Sequence, residues 1–195
     1  MRDLDEASAR QEITRRRESG QRQTVRRGRR RDDLAIPSPG MIRIRRAAAG
    51  DLPGILDLLR LSELPVEGVG ENLGRFLVAE EDGRLVGSAG LEMGDGCALL
   101  RSVAVWPSAR GTGVGVEIVR QALRLASASG AGAVYLLTTT AAGFFPRFGF
   151  VPALRAEIDA KFPDSSETRE GGCCATAAAL VLRDLSRILQ PHRRG

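Results

Sequence analysis

The segment from Leu99 to Gly115, LLRSVAVWPSARGTGVG, limits what this chain can fold into more than any other stretch. A strand-like apolar run is halted by Pro107, and a helical pattern then starts among three glycines, Gly111, Gly113 and Gly115. Glycine turns the main chain through positive φ without a side-chain penalty, so successive N–H groups converge at a helix start, where the helix dipole adds partial positive charge. The result is a cradle for a phosphate-bearing ligand, with Arg110 adding a full charge beside it. A plain glycine turn in a βα unit is the alternative reading. Two other phosphate loops are excluded: no Lys-Ser/Thr pair follows the glycines, and no acidic residue about 20 positions on completes a dinucleotide fingerprint.

Composition narrows the class. The 195 residues, 43% of them apolar, suit one core domain with extensions, and 4% aromatic content means aliphatic packing. No apolar run approaches the ~20 residues that cross a bilayer, and the start lacks a signal-peptide core, which points to the cytoplasm and no membrane partner. Cys97, Cys173 and Cys174 have no metal-ligand spacing and are expected as reduced thiols, the adjacent pair as small buried hydrophobes. The net charge of +5 is concentrated at one end: residues 1–40 hold eleven arginines against seven acids, which leaves +1 for the rest. This Arg-rich extension has little to bury and is expected to be disordered. Its interspersed acids and lack of aromatics favour a solvated tail over a nucleic-acid arm, and Met41 is an alternative start. Residues 187–195 form a second basic fringe.

The elements follow from pattern. After Pro37-Ser38-Pro39-Gly40, a strand runs over 41–46. Asp51 caps a helix that carries Ile55, Leu56, Leu58 and Leu59 and stops before Pro65. The stretch 66–74 is glycine-punctuated and is expected to be mobile. Phe76 to Glu81, Asp82-Gly83 and Arg84 to Glu92 make a hairpin, and Gly94-Asp95-Gly96 turns into a strand over 98–106. Apolar spacing predicts a helix over 114–128, ended by Gly130-Ala131-Gly132. A buried strand at 134–139 pairs in parallel with the earlier one through a right-handed crossover. A short helix at 141–148 and a last strand at 174–183 close the domain, taken as 41–186.

With the strand ending in Val103-Ala104-Val105-x-Pro107, the run Arg110-x-x-Gly113-x-Gly115 resembles the acetyl-coenzyme A signature R/Q-x-x-G-x-G/A of the GNAT N-acetyltransferases. The downstream order matches too: amphipathic helix, strand, then Ala141-x-x-Phe144-Phe145-x-x-x-Gly149-Phe150. The resemblance implies an α/β (α+β) fold, a mixed and mostly antiparallel sheet flanked by helices, with two strands splayed to admit the pantetheine arm of acetyl-CoA. It implies that Val103, Ala104 and Val105 bind that arm and the thioester oxygen, and that Arg110, Gly111, Thr112, Gly113, Val114 and Gly115 hold the pyrophosphate. Thr139 and Phe144 complete the cofactor set, no metal is involved, and the 66–74 stretch borders the acceptor. The amine attacks directly, so a carboxylate that removes its proton helps. Glu92 is the first candidate for that base, with Glu80 and Glu67 behind it and Glu67 also a substrate-binding candidate. A charge inside an apolar strand needs a partner, so Arg101 is expected either to clamp an acceptor carboxylate or to sit in an ion pair. Members often carry Phe-Tyr where this chain has Phe144-Phe145, so the usual thiolate-protonating hydroxyl is missing. Tyr135 sits too early to replace it.

A closer likeness is to arsenic-resistance N-acetyltransferases of the ArsN type. It rests on Leu64-Pro65-Val66-Glu67-Gly68, Phe76-Leu77-Val78-Ala79-Glu80, the 99–105 strand and Ser165-Ser166-Glu167. It implies a small-molecule acceptor with a carboxylate, the α-amine of an amino acid or of an analogue such as arsinothricin or phosphinothricin. An N-acetylglutamate synthase-like enzyme, or a non-catalytic acetyl-CoA-binding domain with a nucleic-acid-recruiting tail, are the alternatives. The oligomeric state stays open, with a homodimer as one candidate.

Overall fold

A computed structural model describes residues 41–169 and 176–185. The expected tail at 1–40, the Cys173-Cys174 pair and the fringe at 187–195 lie outside the described residues. A seven-stranded sheet runs in the order β1-β2-β3-β4-β5-β7-β6. Its strands are β1 (Arg43–Arg46), β2 (Phe76–Glu81), β3 (Arg84–Gly94), β4 (Cys97–Val105), β5 (Ala133–Thr138), β6 (Val151–Pro152) and β7 (Ala178–Leu182). All neighbours are antiparallel except β4 and β5, which pair in parallel as expected. The hairpin turn falls at Asp82 (φ 49°) and Gly83 (φ 76°), the positive-φ pair that an Asp-Gly turn supplies.

Three helices cover the two faces. Helix α1 (Leu52–Leu61) follows a 3-10 turn, Ala49–Asp51; helix α2 (Val114–Ala128) has the predicted bounds; helix α3 (Arg155–Lys161) and β6 were not anticipated. One face packs on α2 through Leu77, Ala79, Leu91, Ala98, Leu100, Leu136 and Leu180. On the opposite face Phe76, Val78 and Ala104 meet Ile55, Leu58 and Leu59 of α1, while Cys97, Leu99, Tyr135 and Val181 meet Ile158 of α3 and Phe162 beyond it. The helix expected over 141–148 is a turn followed by a 3-10 helix, Phe145–Phe148, because Pro146 at its start and Gly149 (φ 92°) at its end confine it to one tight turn. The stretch 66–74 is anchored by Val69, fully buried against the α1 cluster, and closes with a 3-10 turn at Leu73–Arg75. Among the described residues no helix is long and apolar enough to cross a membrane.

One irregularity shapes the sheet. Ser88 pairs with Ala104 and Gly90 with Arg101, so Ser102 and Val103 of β4 both stand opposite Ala89. This β-bulge places Ser102 at φ 54°, and the buried Ser88 hydroxyl donates to the Ser102 carbonyl at 3.0 Å. The alternation of faces therefore inverts. Ala98 and Leu100 look toward α2 before the bulge, Val103 and Val105 after it, while Ala104 turns to α1.

The β2–β3 spacing depends on one bare Cα. A Cβ on Gly90 would stand 2.4–2.8 Å from three ring atoms of Phe76, which is fully buried and has nowhere to move. Gly90→Ala is expected to cost about 1–3 kcal/mol, the range of core overpacking, read as a lower denaturant midpoint. An unchanged midpoint would mean that the strands separate freely here.

Candidate active site

The bulge turns β4 away from β5. Pairing between them stops at Leu100 with Leu136, although β4 continues to Val105 and β5 to Thr138. The gap is a cleft of about 300 Å³ that passes through the sheet. On the α2 face its lining includes Arg110, Ala141 and Phe145; on the α1/α3 face it includes Ser62–Pro65 and Glu167. Between these mouths lie the main chain of residues 100–105 and of 136–140.

At the α2 mouth the glycine-spaced loop takes its predicted form. Gly111 (φ 81°) and Gly113 (φ 94°) occupy left-handed backbone, and Gly113 leads directly into α2. The Gly111, Thr112 and Gly113 amides donate to no acceptor among the described residues, nor do those of Val114 and Gly115 at the start of α2, the first intrahelical donors being Val116 and Glu117 to the Gly113 carbonyl at 3.0 Å. These N–H groups face water beside the cleft, the arrangement that binds anions. Thr112 Oγ1 donates to the Ala109 carbonyl at 2.8 Å, bracing the turn. A Cβ on Gly115 would meet Phe144 and Val105 at 3.6 Å, an ordinary contact, so packing alone does not call for glycine there. Arg110 Nε donates to the Val105 carbonyl at 3.0 Å, which ties the loop to the end of β4 and occupies that carbonyl.

Thr139 and Thr140 line the cleft, while Thr138 Oγ1 accepts from the Ala141 amide at 3.0 Å. Phe144 packs edge-on against Phe145 and Phe148 under the Arg147 guanidinium, and Phe145 itself lines the cleft at the position where the resemblance leads one to expect a tyrosine. Tyr135 is no substitute: it is 1% exposed on the α3 face and donates to Glu157 Oε1 at 2.6 Å. Burial, and then the bond to Glu157, push its phenol up to about 12.

The acidic candidates separate. Glu80 is held at the β1–β2 edge by Arg45, which also grips Asp51, and this guanidinium holds both carboxyls below their usual range. Neither lines the cleft. Glu67 offers its carbonyl, not its carboxylate, to the site, and its carboxylate accepts from the Val66 amide. Glu92, expected as base, is bound to Arg101 and does not line the cleft.

Arg101 has the ion-pair role, and not that of an open clamp. Its side chain is 1% exposed and is shared among four segments: Glu92 on β3, Glu167 Oε1 (2.9 Å) and Ser166 Oγ (3.0 Å) after α3, the Glu67 carbonyl (2.7 Å) after α1, and Ser102 Oγ within its own strand. A buried cation requires such compensation. Glu167 and Ser166 were not among the candidate residues; the one signal for them was the Ser165-Ser166-Glu167 block.

Comparisons with known proteins agree with this geometry. Residues 72–152 match the profile described as an acetyltransferase (GNAT) domain. A Mycobacterium tuberculosis protein, Rv2747, solved with CoA and NLQ, is 25% identical, with TM-score 0.61 over 72% of this chain and 98% of its own. N-acetylglutamate synthase from Neisseria gonorrhoeae, solved with coenzyme A and L-arginine, is 26% identical, with TM-score 0.62 over 74% of this chain. The match spans about a third of that enzyme, 33% of its length. The PaiA N-acetyltransferase of Thermoplasma acidophilum, with coenzyme A, shares the fold at 15% identity and TM-score 0.56 over 74% of this chain and 99% of its own. No curated protein sequence matches. The fold is the GNAT fold, and the domain is that of an acyltransferase.

Two outcomes check this site. Arg101→Met strands Glu92 and Glu167 without their shared cation and is expected to cost about 3–5 kcal/mol in urea unfolding. A loss below about 1 kcal/mol, the size of a surface pair, would contradict the buried network. Tyr135 is the single tyrosine, so its phenolate absorbance is expected to rise near pH 12, against an ordinary value of 10. The folded value is the higher one, so the stabilisation is full below pH 10 and is lost as pH climbs toward 12. A midpoint at 10 would refute its burial.

Proposed function

We propose that the protein is an acetyl-CoA-dependent N-acetyltransferase that acetylates the α-amine of an amino acid or a close analogue. The observation that carries the reading is the cleft between β4 and β5, with the amides of Gly111–Gly115 at one of its mouths. The pyrophosphate of the donor rests on those amides with Arg110 beside it. The pantetheine arm lies against the edges of residues 103–105, which have no β5 partner. Phe144, packed beside Gly115, and Thr139 flank it.

Acetyl transfer from a thioester asks mainly for juxtaposition and for donors to the developing oxyanion. The neutral amine attacks the thioester carbon, the C–N bond forms as the C–S bond breaks, the thiolate leaves, and the proton shed by the nitrogen passes to water. No acyl-enzyme is needed, and with Phe145 in place of a tyrosine the thiolate takes its proton from water. The acceptor class rests on likeness to N-acetylglutamate synthase and on the ArsN-type blocks. The finer reading is a glutamate-like analogue such as phosphinothricin or arsinothricin, with glutamate itself as the other member of the class. Glu92 acts through Arg101 and not as the base.

Calorimetry and a thiol-release assay test the reading. Gly113→Ala forces an L-residue to φ 94°, a strain of about 1–2 kcal/mol, and is expected to weaken coenzyme A about tenfold. Wild-type protein should release thiol with glutamate or phosphinothricin and not with water alone. Coenzyme A binding unaltered by Gly113→Ala, or no release with any amino acid, would overturn it.

A further inference from the structure

The geometry points to the Ser102 hydroxyl as a hydrogen-bond donor to the thioester oxygen while the acetyl group is transferred. The assignment rests on the acetyltransferase reading above and adds a side chain to it.

Ser102 stands where the gap in the sheet begins. The strands β4 and β5 last pair at Leu100 with Leu136, and Ser102, two residues on, lines the cleft. The glycine loop lies at the other end of the same strand edge, tied by Arg110 Nε to the Val105 carbonyl. A donor whose diphosphate rests on that loop runs back along Val105, Ala104 and Val103, so its thioester arrives beside Ser102.

The other hydroxyls of the cleft are placed differently. Thr139 and Thr140 are exposed beyond the end of β5, Thr138 Oγ1 is engaged by the Ala141 amide, and Ser62 belongs to the end of α1. Ser102 is 7% exposed and sits in the strand that the donor follows. Its φ of 54° is left-handed, where an L side chain strains the backbone and glycine would not, and the position nonetheless carries a hydroxyl.

The bonding around Ser102 fixes the residue and leaves its proton for a ligand. The Ser102 carbonyl accepts from Ser88 Oγ at 3.0 Å, and Ser102 Oγ accepts from Arg101 Nε at 3.3 Å. The hydroxyl itself donates to no acceptor among the described residues. Accepting from a guanidinium draws electron density off the oxygen, which makes its O–H a stronger donor and the oxygen a poorer acceptor. That polarity suits a group that becomes negative in the transition state. In acetyl transfer this is the thioester oxygen, whereas the attacking nitrogen becomes positive.

As the neutral amine bonds to the thioester carbon, the carbonyl electron pair moves onto oxygen, and the Ser102 hydroxyl donates to that oxyanion without giving up its proton. The pair returns as the C–S bond breaks, the thiolate leaves, and the proton on nitrogen passes to water. Ser102 is neither nucleophile nor acid in this step.

Single-turnover acetyl transfer to glutamate or phosphinothricin by the full chain tests this, with coenzyme A affinity and the KM for the acceptor measured in parallel. Ser102→Ala should slow transfer about 10²-fold, the loss of one oxyanion donor, while coenzyme A affinity and acceptor KM stay within about twofold. A structural role predicts the opposite split, with affinity and KM moving together with the rate. Should Ser102→Ala fail to fold, Ser102→Gly takes its place, because glycine adopts φ 54° without strain. A folded variant that transfers acetyl within about twofold of the wild-type rate, or whose loss lies in coenzyme A affinity, overturns this assignment alone. Wild-type protein that binds no coenzyme A, or acetylates no amino acid, overturns the acetyltransferase reading itself.

Discussion

The bulge at Ser102 and Val103 is the constraint on which the site depends. Two residues opposite one leave the β4 edge out of register with both neighbours, and three consequences follow from that offset. The strand swings away from β5 and opens the sheet. Its main-chain polar groups lose strand partners where a ligand can use them. The faces of β4 exchange, so that Arg101 points to the α1/α3 side while Val103 and Val105 point to α2. The structure meets the cost of the bulge locally: the Ser88 hydroxyl satisfies the Ser102 carbonyl inside the sheet. A buried serine in an apolar strand is explained by that bond.

Arg101 then closes one side of the opening. Pairing a guanidinium with two carboxylates and two loop groups fixes the loops after α1 and α3 relative to β3 and β4. Such networks are not strong stabilisers compared with apolar packing, but breaking one partner is expensive. The consequence is geometric, since the mouth toward α1 and α3 is bordered by loops that Arg101 holds to β3 and β4. The α2 mouth is built differently, from consecutive residues whose backbone conformation is set by Gly111 and Gly113.

That difference explains what could be read from sequence. The glycine loop is local: glycine spacing, the preceding strand and the following helix are contiguous, so positive φ at Gly111 and Gly113 and the bounds of α2 were all legible. The parallel β4–β5 pair followed from the crossover rule. The α1/α3 mouth and the Arg101 network behind it are assembled from residues 62–67, 92, 101 and 166–167, and no periodic pattern marks such a set. Arg101 was recognisable as a charge needing compensation, but which acids supplied it was not, because Glu167 lies 66 positions away in a loop. Helix α3 and β6 escaped notice for a related reason: seven residues and two residues are too short to impose a period. The bulge leaves no hydropathy trace either, since LLRSVAV keeps its apolar content whichever face each residue takes.

The most direct measurement is a crystal structure of the protein grown with coenzyme A. The account predicts the diphosphate within hydrogen-bond distance of the Gly111–Gly115 amides, and the pantetheine arm running between residues 103–105 and 137–139 with its thiol near Ser102. Coenzyme A bound elsewhere, or β4 and β5 found paired beyond Leu100 and Leu136 so that the gap is closed, would contradict it.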